Sequence, residues 1–165
     1  WYLLACRKRE EQKIVTKCKE KLPQRAVGDT FVLTFDRMRR YEGAWHLERQ
    51  LMFPGYVFLE SEDEGILSEE LERFGIFFGQ KNQLLKVGRE AEEFLKRLCG
   101  AAHHLEMSRG IIREGSARIT EGPLKGMEKQ IRRIDRHKRL ARVEMMIRPD
   151  ESYIPAGLEI TEKII

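Results

Sequence analysis

The sequence predicts an α+β protein of two domains, on three observations. Over residues 1–100, short apolar runs and helix-period stretches follow the order β-α-β-β-β-α-β-α, the mixture expected of a mostly antiparallel sheet covered by helices. Residues 101–115 have Gly and polar residues without a sustained period and read as a linker. Residues 116–165 combine a Gly-Pro turn with brief apolar runs and read as a small second domain, of a size that needs an idealised barrel or docking onto its neighbour.

The first element is Trp1-Tyr2-Leu3-Leu4-Ala5-Cys6, a continuous apolar run ended by Arg7-Lys8-Arg9, as in a strand buried on both faces. Glu10 and Glu11 then suit a helix N-terminus. Ile14, Val15, Cys18 and Leu22 share one helical face, and Pro23 ends the helix. Alternation resumes through Phe31, Leu33 and Phe35, and again through Trp45, Leu47 and Arg49 beyond Gly43, which predicts a strand followed by a long basic hairpin. In Leu51 to Leu59 a Pro54-Gly55 turn interrupts the most aromatic segment of the chain, and a strand leaves at Tyr56. Leu67, Leu71 and Phe74 stand at helical spacing, Ile76-Phe77-Phe78 reads as a short strand, and Ala91, Phe94, Leu95 and Leu98 form the face of a helix ended by Gly100.

Beyond Gly122-Pro123 two patterns compete. Leu124, Met127, Ile131 and Ile134 fit a helix with Pro in its first turn. The same residues fit a turn, a bent strand over 131–134, a polar turn over 135–139 and a second strand over 140–147. Periodicity does not choose between them.

Composition bounds the function. With 41% hydrophobic and 35% charged residues and no long apolar run, the chain reads as globular, neither disordered nor membrane-spanning. Ser108 to Met146 carries eleven Lys and Arg against five Asp and Glu, a balance of +6, whereas Trp1 to Met107 has eighteen of each. The basicity is therefore local. Cys6, Cys18 and Cys99 are odd in number and widely spaced, and no leader-like segment precedes the first apolar run, so a reduced, cytoplasmic protein is expected.

No catalytic constellation emerges. His46, His103, His104 and His137 lack metal-ligand spacing with the cysteines, no glycine pair is followed by the Lys-Ser/Thr of a phosphate-binding loop, and there is no nucleophile elbow. The expectation is a protein without enzymatic activity, cofactor or metal. The strongest chemical signal is the cluster Lys129, Arg132, Arg133, Arg136, His137, Lys138, Arg139 and Arg142, whose cations form a phosphate-binding surface unless they are merely a solvated turn. Phe53, Tyr56 and Phe58 are a patch on a sheet face or part of the core.

Trp1-Tyr2-Leu3-Leu4, Phe53-Pro54-Gly55-Tyr56-Val57-Phe58 and Gly122-Pro123-Leu124-x-Gly126 together resemble the NusG family of transcription elongation factors, in order and spacing, over essentially the whole chain. The first two look like motifs of its N-terminal NGN domain and the third like the opening of its KOW domain. Pro123-Leu124-Lys125-Gly126 with Ile134-Asp135-Arg136-His137-Lys138-Arg139 is most similar to the LoaP branch of specialised antiterminators. One departure is Lys129, where the KOW pattern has a second glycine. The resemblance implies an NGN α/β sandwich over 1–100 and an SH3-like KOW β-barrel over 116–165, and it favours the strand reading of 123–147. It also implies a monomer that binds the clamp helices of RNA polymerase through Phe53, Pro54, Gly55, Tyr56 and Phe58, and suppresses pausing or termination. The basic cluster would bind nascent RNA, a hairpin being the natural target. Arg37, Arg39, Arg40 and Arg49 of the hairpin would lie near non-template DNA. A ribosome-associated or RNA-folding KOW module is the alternative.

Overall fold

A computed structural model describes residues 1–76, 84–148 and 151–165. It is an α+β fold. In chain order the elements are β1 (Tyr2–Ala5), α1 (Glu11–Lys21), β2 (Asp29–Phe31), β3 (Thr34–Tyr41), β4 (Ala44–Leu51), β5 (Tyr56–Glu60), α2 (Glu64–Arg73), β6 (Leu84–Lys86) and α3 (Arg89–Cys99). They continue with β7 (His104–Leu105), β8 (Ser108–Arg113), β9 (Ser116–Glu121), a 3₁₀ turn at Glu128–Gln130, β10 (Ile131–Asp135), β11 (Leu140–Arg148) and β12 (Glu151–Ile164). The strand expected at Ile76-Phe77-Phe78 falls mostly outside the described residues. Two compact units emerge, Trp1–Leu33 with Phe53–Glu92, and Thr34–Met52 with Glu93–Ile165.

In the first unit an antiparallel sheet has the order β2-β5-β1-β6. The apolar opening of the chain is an internal strand of it, beside β5: Leu3 and Leu4 are almost wholly buried, and Leu4 faces Val57 while Leu3 faces Phe58. Alternation sends Tyr2, Leu4 and Leu59 to one face, where they pack with Cys18 and Leu22 of the α1 segment and Leu67 and Leu71 of α2. Pro23 follows α1 as expected, and the Asp63 side chain caps α2 by accepting the Ile66 N–H at 3.0 Å. Trp1, Phe31, Phe53 and Phe58 form a second cluster, with ring centroids 4.9 Å apart for Trp1 and Phe31, 5.5 Å for Phe31 and Phe58, and 5.6 Å for Phe53 and Phe58.

The second unit holds the expected hairpin. β3 and β4 pair in register from Thr34↔Leu51 to Tyr41↔Ala44, and the tip residues Glu42 and Gly43 both take positive φ, the geometry of a two-residue turn that matches strand twist. β7 runs parallel to β3. His104 ties the two together: its Nδ1 lies 2.7 Å from Thr34 Oγ1 and its Nε2 2.7 Å from Asp36 Oδ1, while Asp36 also accepts the Met107 N–H at 3.0 Å.

The other sheet has the order β10-β11-β12-β8-β9. β11 alternates strictly, with Ala141, Val143, Met145 and Ile147 inside and Arg142, Glu144 and Met146 outside. β12 pairs antiparallel with β11 through its first half and parallel with β8 through its second. Gly157 marks the transfer, and a Cβ there would lie 2.1 Å from Met107 Sδ and 2.5 Å from the Asp36 carbonyl oxygen.

Two expectations need correcting. The stretch 101–115 is not an unstructured linker, because it contains β7 and β8, and the five-stranded sheet begins at Ser108. Gly110 hides β8 in the sequence: a Cβ at this position would sit 2.6 Å from the Arg118 carbonyl oxygen, so close strand approach replaces the apolar side chain that periodicity looks for. Secondly, among the described residues no ladder joins β9 to β10, so the sheet is not closed into a barrel. The 3₁₀ turn intervenes, and Glu128 accepts the Ile119 N–H at 3.1 Å. In the disputed segment Leu124 and Met127 are buried in a turn rather than along a helix, and β10 and β11 form as strands.

Candidate nucleic-acid interface

Arg136 to Arg139 form the turn between β10 and β11. Asp135 organises it by accepting the Lys138 N–H at 3.0 Å, and that backbone hydrogen bond holds its carboxyl below the ordinary Asp range. Arg139 closes the turn with φ 53°, a left-handed conformation that costs a non-glycine residue about 1 kcal/mol and has to be offset by what its side chain contacts. Those contacts are specific. The Arg139 guanidinium carbon sits 4.1 Å from the ring centroid of Trp45 on β4, and its Nη1 lies 3.6 Å from Glu159 of β12.

The expected nucleic-acid residues divide by partner. Arg132 is paired with Glu144, across the β10–β11 ladder. Arg139 is held by Trp45 and Glu159. Lys129, Arg133, Arg136, Lys138 and Arg142 are exposed, and among the described residues none of them pairs with a carboxylate. His137 is exposed on the same turn. Strand alternation gives the group more than one facing: Arg142 points outward from β11, and Lys129 sits on the 3₁₀ turn.

Next to the turn lies an open cleft of ≈ 820 Å³, lined by Arg40 and Trp45 of the hairpin and by Arg133, Arg136 and Arg139. A smaller hollow of ≈ 510 Å³ lies beside β10, lined by Lys129, Arg132 and Arg133 among others. Sequence reading missed Trp45 and Glu159 as members of this surface. The available signal was a tryptophan facing Arg40 across a tight hairpin. Elsewhere on the hairpin Arg39 approaches Glu48 at 3.7 Å, Arg49 is exposed, and the buried Arg37 Nε has no hydrogen-bond partner among the described residues.

The aromatic patch expected to meet a protein partner is divided. Phe53 and Phe58 are interior, 4% and 0% exposed, within the ring cluster of Trp1 and Phe31. Tyr56 is half-buried, Pro54 is exposed, and Gly55 is buried with φ 86°, its N–H donated to Glu11 at 2.7 Å. The Pro-Gly turn and Tyr56 are thus what this segment presents to its surroundings.

The thiols are buried, and loss of hydration pushes Cys6 up to about 11 and Cys18 and Cys99 up to about 12, so all three stay protonated at neutral pH. Among the described residues no cluster of His, Cys, Asp and Glu has metal-binding geometry, and no helix is long and apolar enough to cross a membrane. No protein-family model matches the chain, and no curated protein matches it.

Proposed function

We propose that this chain is a NusG-type transcription elongation and antitermination factor that acts in the cytoplasm, binding RNA polymerase through an NGN-like N-terminal region and nascent RNA through a basic C-terminal KOW-like sheet. The observation that carries the reading is the exposed set Arg133, Arg136, Lys138 and Arg142 on one turn and its flanking strands, none of which forms an ion pair with a carboxylate among the described residues. Exposed cations outside intramolecular ion pairs are available to phosphates, and each phosphate neutralised contributes salt-dependent affinity. The β11 alternation and the turn after Gly122 fit a small SH3-like β domain of the KOW kind, and the Pro54-Gly55 turn beside Tyr56 fits a docking point for the polymerase clamp helices.

The test is transcription by purified polymerase through an intrinsic terminator carrying an upstream hairpin, with and without the full chain. Read-through should rise with protein concentration. Unchanged termination, together with no co-precipitation of polymerase from ribosome-free extract, would overturn the proposal. Co-purification with ribosomal particles in place of polymerase would favour the ribosome-associated module instead.

A further inference from the structure

The cleft between the β3–β4 hairpin and the β10–β11 turn has chemistry beyond a basic surface. Its wall contains a cation stacked on an aromatic ring, Arg139 on Trp45, fixed from behind by Glu159. Arg40 stands opposite Trp45 in the hairpin ladder, and Arg133 and Arg136 also line the cleft. Among the described residues no carboxylate pairs with Arg40, Arg133 or Arg136. The two acids at the cleft are already engaged, Asp135 by the Lys138 N–H and Glu159 by Arg139 and by Arg109 at 3.4 Å. At ≈ 820 Å³ the space lies within the range of ligand pockets, about 300–1,000 Å³.

We propose that this cleft takes one unpaired nucleotide of an RNA chain, its base stacked on the Trp45–Arg139 platform and its phosphate held by Arg40, Arg133 and Arg136. The inference rests on the RNA-binding part of the function proposed above and adds where an extruded base goes. A phosphate alone would need the arginines and no aromatic plane. A duplex would use the same arginines but cannot offer a base face, because its faces are covered by neighbouring pairs. Only an unstacked nucleotide, as in a hairpin loop or bulge, uses both halves of the cleft. Since Trp45 and the turn come from distant parts of the chain, the site reads a loop base and the adjoining backbone together, which gives selectivity that scattered phosphate contacts cannot.

The experiment uses the full chain and an RNA hairpin with 2-aminopurine at successive loop positions, titrated at two salt concentrations. Wild type should quench the fluorophore at one position. Trp45→Leu should lose the quenching and bind about tenfold or more weakly, with the salt dependence unchanged because the phosphate contacts remain. Trp45→Phe, which keeps a ring, should restore most of both, and separates stacking from a folding defect. A hairpin whose loop is replaced by an abasic linker should bind wild type as weakly as the intact hairpin binds Trp45→Leu. Equal affinity and equal quenching in Trp45→Leu overturns the pocket while leaving RNA binding by the basic turn intact. Absence of any RNA binding by wild type at low salt overturns both. Equal binding of the same loop in DNA overturns the RNA assignment, and displacement by millimolar mononucleotide would show a free nucleotide to be the ligand instead.

Discussion

Glu11, in the first turn of α1, extends its side chain away from its own helix and accepts the Gly55 N–H at 2.7 Å. The carboxylate is buried, 3% exposed, and Gly55 adopts φ 86°, so a turn far along the chain is set by a residue whose sequence position suggests only helix-end electrostatics. Truncating it would leave a buried N–H without an acceptor. Glu11→Ala should therefore destabilise the protein by about 1–3 kcal/mol, with Glu11→Gln recovering part of the loss. Denaturant titration of both variants measures this, and an unchanged midpoint for Glu11→Ala would remove the turn's dependence on Glu11.

Tyr56 and Phe58 leave β5 on the same side but differ in exposure, and substitution should separate them. Phe58→Ala opens a cavity among Trp1, Phe31 and Phe53 and should cost about 3–5 kcal/mol of stability. Tyr56→Ala should keep a cooperative unfolding transition and lose about 2 kcal/mol of polymerase affinity, as expected of an interface hot spot. A Tyr56→Ala protein that stays folded and binds polymerase like wild type removes this face from the interface.

Arg133, Arg136 and Lys138 are exposed and form no ion pair among the described residues, so replacing all three by alanine should leave the thermal midpoint close to wild type. RNA affinity should fall across sequences, and the slope of log affinity against log salt should become shallower by about 0.7–0.9 for each lost phosphate contact. An unchanged slope would return these residues to an ordinary solvated turn.

The Asp135 carboxyl, held low by the Lys138 N–H, gives the basic turn a pH dependence of definite sign. A carboxyl whose folded pKa lies below its unfolded value stabilises above the unfolded value, and that contribution disappears as pH falls through the folded one. Glu128, lowered first by its own backbone N–H and then by that of Ile119, acts in the same direction. The difference in melting temperature between wild type and Asp135→Ala should be present at neutral pH and vanish in the acid range below the ordinary Asp pKa. A difference that persists there would mean that packing rather than the charged hydrogen bond is responsible.

Gly157→Ala should be among the most damaging single-methyl additions. The new carbon would meet Met107 Sδ at 2.1 Å and the Asp36 backbone at 2.5 Å, and although a methionine end can move, a backbone oxygen cannot do so without moving β3. Overpacking of this kind costs about 1–3 kcal/mol or more. Thermal unfolding checks it, and a neutral result would show that β12 and β3 separate easily at this point.

Several elements were legible in the residues alone because their signals are local. A continuous apolar run placed β1 inside a sheet, Pro23 ended α1, and the alternation around Gly43 located the hairpin. The charge count put the basic surface on the β10–β11 turn. Tertiary structure determined the rest, for reasons that local pattern does not encode. Leu124 and Met127 satisfy a helical period, yet they are buried by packing in a turn before β10. Gly110 breaks the pattern of β8 because a neighbouring backbone, not a side chain, fills its space. Phe53, Tyr56 and Phe58 look alike in sequence, and only the positions of Trp1 and Phe31 distinguish core from surface. The Trp45–Arg139 stack joins two residues whose separate patterns say strand and turn, and Glu159 of β12, the strand that crosses from β11 to β8 at Gly157, pairs with the same guanidinium.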